Sequence, residues 1–201
     1  MDTYTHSFIA GRVYNQFVET DLKLHKIWLR LGSIKQDYVY DNINHYKDET
    51  AHLFYQKYNQ LTEVNLIKKP RLFSLKLGEL FHYICDYFCY AHNQELLKND
   101  MTQHFLYECK LNLYTYKLNK NHFNKYNTPN NYIFEMSFPK FIEFYLKKYL
   151  KRKPSYDIDI FSAYEVCVLL VYKLINEHKG NQNFYLKTSR GKYRARVNFA
   201  F

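Results

Sequence analysis

Along most of the chain, apolar residues recur at the three-and-four spacing that gathers them on one face of a helix. Phe8, Ile9, Val13, Phe17 and Val18 form a first stripe. Leu22, Leu24, Ile27, Trp28 and Leu31 form a second, which Gly32-Ser33 is expected to close. From Ile34 to Lys47 polar and aromatic residues alternate without a helical period, which predicts the first long connection. The period resumes from Tyr46 to about Ile67 and breaks at Lys68-Lys69-Pro70, because proline disfavours the helical region for its predecessor. The next helix, from about Ser74 to His92, is apolar nearly all round through Leu77, Leu80, Phe81, Ile84, Cys85, Phe88 and Cys89. Such a helix belongs at the centre of the molecule. Beyond a polar connection, Met101 to Leu118 reads as a helix with Phe105, Cys109, Leu111 and Leu113 towards the core. Asn119 to Asn131 reads as an exposed excursion, and Phe138 to Leu150 and Ile158 to Glu177 as two more helices. The pattern predicts an all-α fold of six or seven helices, a single domain over residues 1–201. Residues 180–201 form a basic tail, either flexible or a short strand pair.

The central stretch carries chemistry as well as apolar surface. His82, Asp86, His92, His104 and Glu108 are five potential metal ligands in 27 positions, with His82/Asp86 and His104/Glu108 each spaced i, i+4. That spacing stacks two side chains on one helical face. Neutral imidazole and carboxylate are nitrogen and oxygen ligands of zinc, and two on adjacent turns leave neighbouring coordination positions free. On one continuous helix His92 lies roughly 80° around the axis from His82, which suits a second ion beside the first. An ion pair on a solvated face has the same spacing, and a His-Asp pair satisfied inside the core is a further alternative. The apolar flanks favour the interior, where a carboxylate is costly unless paired or metal-bound. Asp37 and His45 are candidate ligands on the first long connection, and His6 stands at the start of the first helix. His52 and His122 read as surface residues.

Charge adds a partner class. With 29 Lys+Arg against 19 Asp+Glu the formal charge is +10, which suits an anionic partner such as a phospholipid headgroup or a nucleic acid. Cys85, Cys89, Cys109 and Cys167 sit in apolar helical patterns and form no CxxC pair, so buried free thiols in a reducing compartment are expected, which favours the cytoplasm. No run approaches the length of a membrane span, and the first residues lack the succession of a signal peptide. There is no Walker loop, dinucleotide-binding glycine pattern or nucleophile elbow.

Taken in order, His82-x3-Asp86-x5-His92 followed by His104-x3-Glu108 resembles the zinc cluster of the zinc-dependent phospholipase C family, which shares its all-helical fold with the zinc-dependent single-strand nucleases of fungi and plants. Upstream, Gly32-Ser33-Ile34-Lys35-Gln36-Asp37 resembles the loop that gives the family's aspartate; His45 falls where a histidine ligand is expected, and His6 resembles the first-helix histidine. Gln36 stands where similar sequences often have proline. The resemblance implies two or three zinc ions: one held by Asp37, His45, His82 and Asp86, a second by His92, His104 and Glu108, and a third by His6 and Asp86 with the Met1 amine. It implies hydrolysis of a phosphoric ester by a metal-activated water, with Asp37 and Glu108 as the catalytic carboxylates and transient contact with a membrane surface. A single-strand nuclease-like phosphodiesterase and a zinc-binding helical module without catalysis are the alternatives.

Overall fold

A computed structural model describes residues 1–20, 22–38, 47–93, 100–118, 123, 132–179, 187–188 and 191–192. Seven longer helices account for most of them: α1 (Thr3–Phe17), α2 (Lys26–Lys35), α3 (Lys47–Thr62), α4 (Pro70–Tyr87), α6 (Met101–Lys117), α8 (Phe138–Leu150) and α9 (Tyr156–Lys179). Two four-residue helices, α5 (Tyr90–Asn93) and α7 (Tyr132–Glu135), and a 3-10 turn at Gln36–Tyr38 complete the helical set. The only strands among the described residues are β1 (Lys187–Thr188) and β2 (Gly191–Lys192), a two-residue antiparallel pair in the basic tail. The fold is all-α, as the periodicity predicts.

The centre is α4. Pro70 occupies its first turn, where the missing N–H costs nothing, and every residue from Leu77 to Tyr87 is buried. Its neighbours α1, α2, α3 and α9 surround it. The tightest contact is with α2, through Gly32 and Gly78. A Cβ on Gly32 would stand 2.0 Å from the Leu75 carbonyl oxygen, and one on Gly78 would stand 2.2 Å from that of Leu29. Gly32 is therefore not the helix stop that its position after the second apolar stripe suggests. The helix runs on to Lys35, and the glycine serves the approach of two backbones instead.

Three other expectations are corrected. Leu22 and Leu24 are buried but precede α2, which starts at Lys26. The apolar run from Ser74 to His92 is not one helix, since α4 ends at Tyr87. Phe88, at φ −102° and ψ 32°, donates its N–H to the carbonyls of Ile84 and Asp86, and α5 resumes at Tyr90. A hydrophobic period cannot register such a break, because Phe88 and Cys89 are as buried as the helical residues around them. On α6, Leu111 is buried, but Phe105 and Leu113 are each 64% exposed. No helix among the described residues is long and apolar enough to cross a membrane.

Candidate metal centre

Five elements converge on one set of donors. Asp2 caps α1, accepting the Tyr4 N–H at 2.8 Å, and this places His6 on the inward face with no exposure. The 3-10 turn after α2 carries Asp37, whose Oδ2 accepts the Thr3 hydroxyl at 2.9 Å. α4 supplies His82 and Asp86, both fully buried. The break after α4 turns His92 towards α6. There, Asp100 caps the helix through the N–H groups of Thr102 and Gln103, one turn ahead of His104 and two ahead of Glu108.

The donors fall into two groups, each with its ligand atoms within 4.8 Å of one another: His6, Asp37 and His82, and His92, His104 and Glu108. Asp86 lies between them. Its Oδ2 is 3.2 Å from His82 Nε2, and its Oδ1 is 3.3 Å from His6 Nε2 and 3.6 Å from His92 Nε2. In the second group Glu108 Oε1 is 3.0 Å from His92 Nε2 and 3.3 Å from His104 Nε2. The Met1 amine stands at the junction, 2.5 Å from Asp86 Oδ1, 2.9 Å from Glu108 Oε1 and 2.9 Å from His92 Nε2. It shares Asp86 Oδ1 with His6, but its other two contacts belong to the second group. His45, the remaining residue of the expected set, lies outside the described residues.

Burial opposes charge on Asp86, Glu108, His6, His82, His92 and the Met1 amine, and their mutual contacts decide the outcome. Asp86 is held well below the usual carboxylate range despite its burial, chiefly by the Met1 amine and then by His92, His82 and His6. Glu108 is held low against the same penalty by the Met1 amine and by bonds from His104 and His92. Burial followed by the Met1 charge pushes His92 down to about 4, and burial followed by His6 lowers His82. For His6, Asp86 outweighs burial and raises the pKa to about 10. The Met1 amine is raised in the same way.

The state of His82 fits a bound cation, whereas a metal at His6 has to displace the proton that Asp86 holds there. His82 Nδ1 lies 3.1 Å from the Ser33 carbonyl, which can only accept, so Nδ1 carries the proton and Nε2 of the neutral ring turns its lone pair to the Asp86 carboxylate. Two such atoms repel unless a positive charge lies between them. Ligands about 2.0–2.1 Å from a tetrahedral zinc stand about 3.3 Å from each other, and the 3.0–3.6 Å contacts among these nitrogen and oxygen atoms match that edge. In the structure a cation, the Met1 ammonium, already occupies the junction of the two groups.

A family model described as zinc-dependent phospholipase C matches residues 5–165. The chain belongs to the zinc-dependent phospholipase C family. No curated protein and no solved structure matches it. The region matched to this phospholipase C family contains every donor placed here except the Met1 amine.

It also contains a residue that the sequence does not single out. Asp159 reads as an acidic residue of a helix first turn, yet it is fully buried. Its Oδ2 accepts the Tyr90 N–H at 3.0 Å and the Tyr107 hydroxyl at 2.8 Å, and its Oδ1 accepts the Tyr149 hydroxyl at 2.8 Å. Burial pushes its pKa up to about 6 against these three donors. The one available signal is its place between Ile158 and Ile160 on an apolar helix.

Proposed function

We propose that this phospholipase C-family chain hydrolyses a phospholipid-type phosphodiester, with zinc held by His6, Asp37, His82 and Asp86 on one side and by His92, His104 and Glu108 on the other. The observation that carries the reading is the second group. Its three side-chain donors are one fewer than a closed structural zinc site uses, and the Met1 amine beside them is held as an ammonium with no lone pair to give. Bound zinc would polarise a phosphoryl oxygen and acidify a water. The chain's own residues supply the rest. Asp37 and Glu108 are 19% and 18% exposed, whereas Asp86 is buried, so an entering phosphate meets those two carboxylates. The Thr3 hydroxyl holds Asp37 Oδ2 and leaves Oδ1 to take a proton from the attacking water. Asp37 and Glu108 are accordingly the catalytic carboxylates of this reading.

A lipid substrate is favoured over nucleic acid by the surface beside the second group. Met101, Phe105 and Leu106 flank His104 in sequence and are 67%, 64% and 42% exposed. At about 100° per residue they occupy an arc that starts next to Glu108, and Leu113 and Tyr116 extend it. Acyl chains match such an arc better than phosphates and bases do, whereas the +10 charge suits either anion. The test is zinc analysis of purified protein together with turnover of a soluble short-chain phosphatidylcholine, a chromogenic phosphodiester and single-stranded DNA. Zinc-dependent release of diacylglycerol is expected. Cleavage of DNA alone would replace the lipid reading with the nuclease one, and zinc without any turnover would favour a binding module.

A further inference from the structure

We infer that Asp159 is a positioning residue for the donor group of His92, His104 and Glu108. The inference rests on the reading of those three as metal donors. His92 does not inherit its place from α4, because the chain breaks at Phe88 and Cys89 and restarts in a helix of one turn. Within that turn Asn93 bonds back to the carbonyls of Tyr87 and Cys89, which shapes the segment but does not attach it to α6. The Tyr90 and Tyr107 rings touch across the two helices at 5.3 Å, and the polar attachment between them is Asp159. One carboxylate oxygen holds both the N–H of Tyr90, two residues before His92, and the hydroxyl of Tyr107, one residue before Glu108. A single atom on α9 thereby sets the separation of α5 from α6 on which the 3.0 Å approach of His92 Nε2 to Glu108 Oε1 depends. The other oxygen holds Tyr149 of α8, which bears no donor. The carboxylate is fully buried, so it acts through these partners and not on substrate. Removing any of the three bonds leaves a buried polar group poorly satisfied. Only the Tyr90 and Tyr107 bonds lead to metal donors.

The two tyrosines separate positioning from plain stability. Tyr107→Phe and Tyr149→Phe each delete one hydroxyl on the same carboxylate and keep the ring. Zinc affinity is read by competition with a chromogenic chelator, and unfolding by thermal melt. Tyr107→Phe and Asp159→Asn are expected to weaken one zinc, that of the His92, His104 and Glu108 group, by about 10- to 100-fold, the range for groups that orient a ligand, and to leave the other in place. Tyr149→Phe is expected to lower Tm by a similar amount to Tyr107→Phe with zinc affinity unchanged. Equal zinc affinities in the two tyrosine variants would overturn the inference while leaving the reading of the site intact. Wild-type protein that binds no zinc would overturn both. If Asp159→Asn does not fold, the tyrosine pair still decides.

Discussion

The two donor groups are built differently. His6, Asp37 and His82 come from α1, the 3-10 turn that follows α2, and α4, with α2 and α4 in backbone contact at Gly32 and Gly78. His92, His104 and Glu108 come from a one-turn helix and from α6, whose outer side exposes Phe105 and Leu113. Geometry in the first group follows from the packing of long helices, which also holds the fold together. In the second it depends more on side-chain bonds, among them those of Tyr90 and Tyr107 to Asp159. A rigid half beside an adjustable half, joined by Asp86, suits the proposed hydrolase, which would admit its substrate beside the second group.

The largest effect should come from the rigid half. In Gly78→Ala the new Cβ would meet the Leu29 carbonyl at 2.2 Å and the Ser33 nitrogen at 2.8 Å, both backbone atoms that cannot rotate away. Alanine gains about 1 kcal/mol in helix propensity over glycine, but overpacking costs about 3 kcal/mol or more, so the clash wins. The net cost of about 2 kcal/mol or more corresponds to a fall in Tm of roughly 4–8 °C or more for a chain of this size. Loss of zinc should begin at the group of His6, Asp37 and His82, which the α2–α4 contact positions. A variant as stable as wild type would show that α2 and α4 do not approach so closely.

Glu108→Gln tests the adjustable half. It removes a donor charge and leaves the helix contacts intact, so turnover should fall about 100-fold, equivalent to about 2.7 kcal/mol in the barrier. One zinc should be lost or weakened, and Tm should stay within a few degrees. Unfolding of this variant would mean that the second group is as structural as the first.

The same contrast explains what could be read from the chain. The pairs His82/Asp86 and His104/Glu108 are legible because the helical period places each pair on one face, and the structure puts both pairs into the same buried set. Asp37 is legible only as a carboxylate on a long connection, and His6 only through the family resemblance, since nothing local brings residue 6 to residue 82. Their rings or carboxylates meet because α1 and α2 pack on α4, and the His6 and His82 rings stack at 4.2 Å. Gly32 was misread because a glycine after an apolar stripe looks the same whether it ends a helix or admits another one. The break at Phe88 was invisible because burial continues through it. Asp159 was missed because its partners, Tyr90, Tyr107 and Tyr149, are spread over three other elements.

The smallest effect concerns an ion-pair clamp on the rigid half. Glu79 of α4 is buried and accepts Lys35 of α2 at 2.7 Å and Lys57 of α3 at 3.0 Å. Burial raises its pKa, but the bonds from Lys35 and then Lys57 outweigh that and leave it below the ordinary carboxylate value. A carboxylate whose folded pKa is depressed stabilises the protein above its unfolded pKa and loses that contribution as pH falls through the folded value. Glu79→Gln keeps an acceptor but removes the charge, and Lys35 is half exposed, so the cost should be only about 1 kcal/mol near neutral pH, or about 2–4 °C in Tm. The difference between wild type and variant should stay constant down to about pH 5 and close as the pH drops below about 4. Melts of both proteins across that range, taken with chelator so that metal loss does not intrude, measure it. A difference that instead grew on acidification would mean that the buried carboxylate is protonated in the folded state, and the clamp holding the Asp37 end of α2 to α4 would have to be assigned to packing at the two glycines alone.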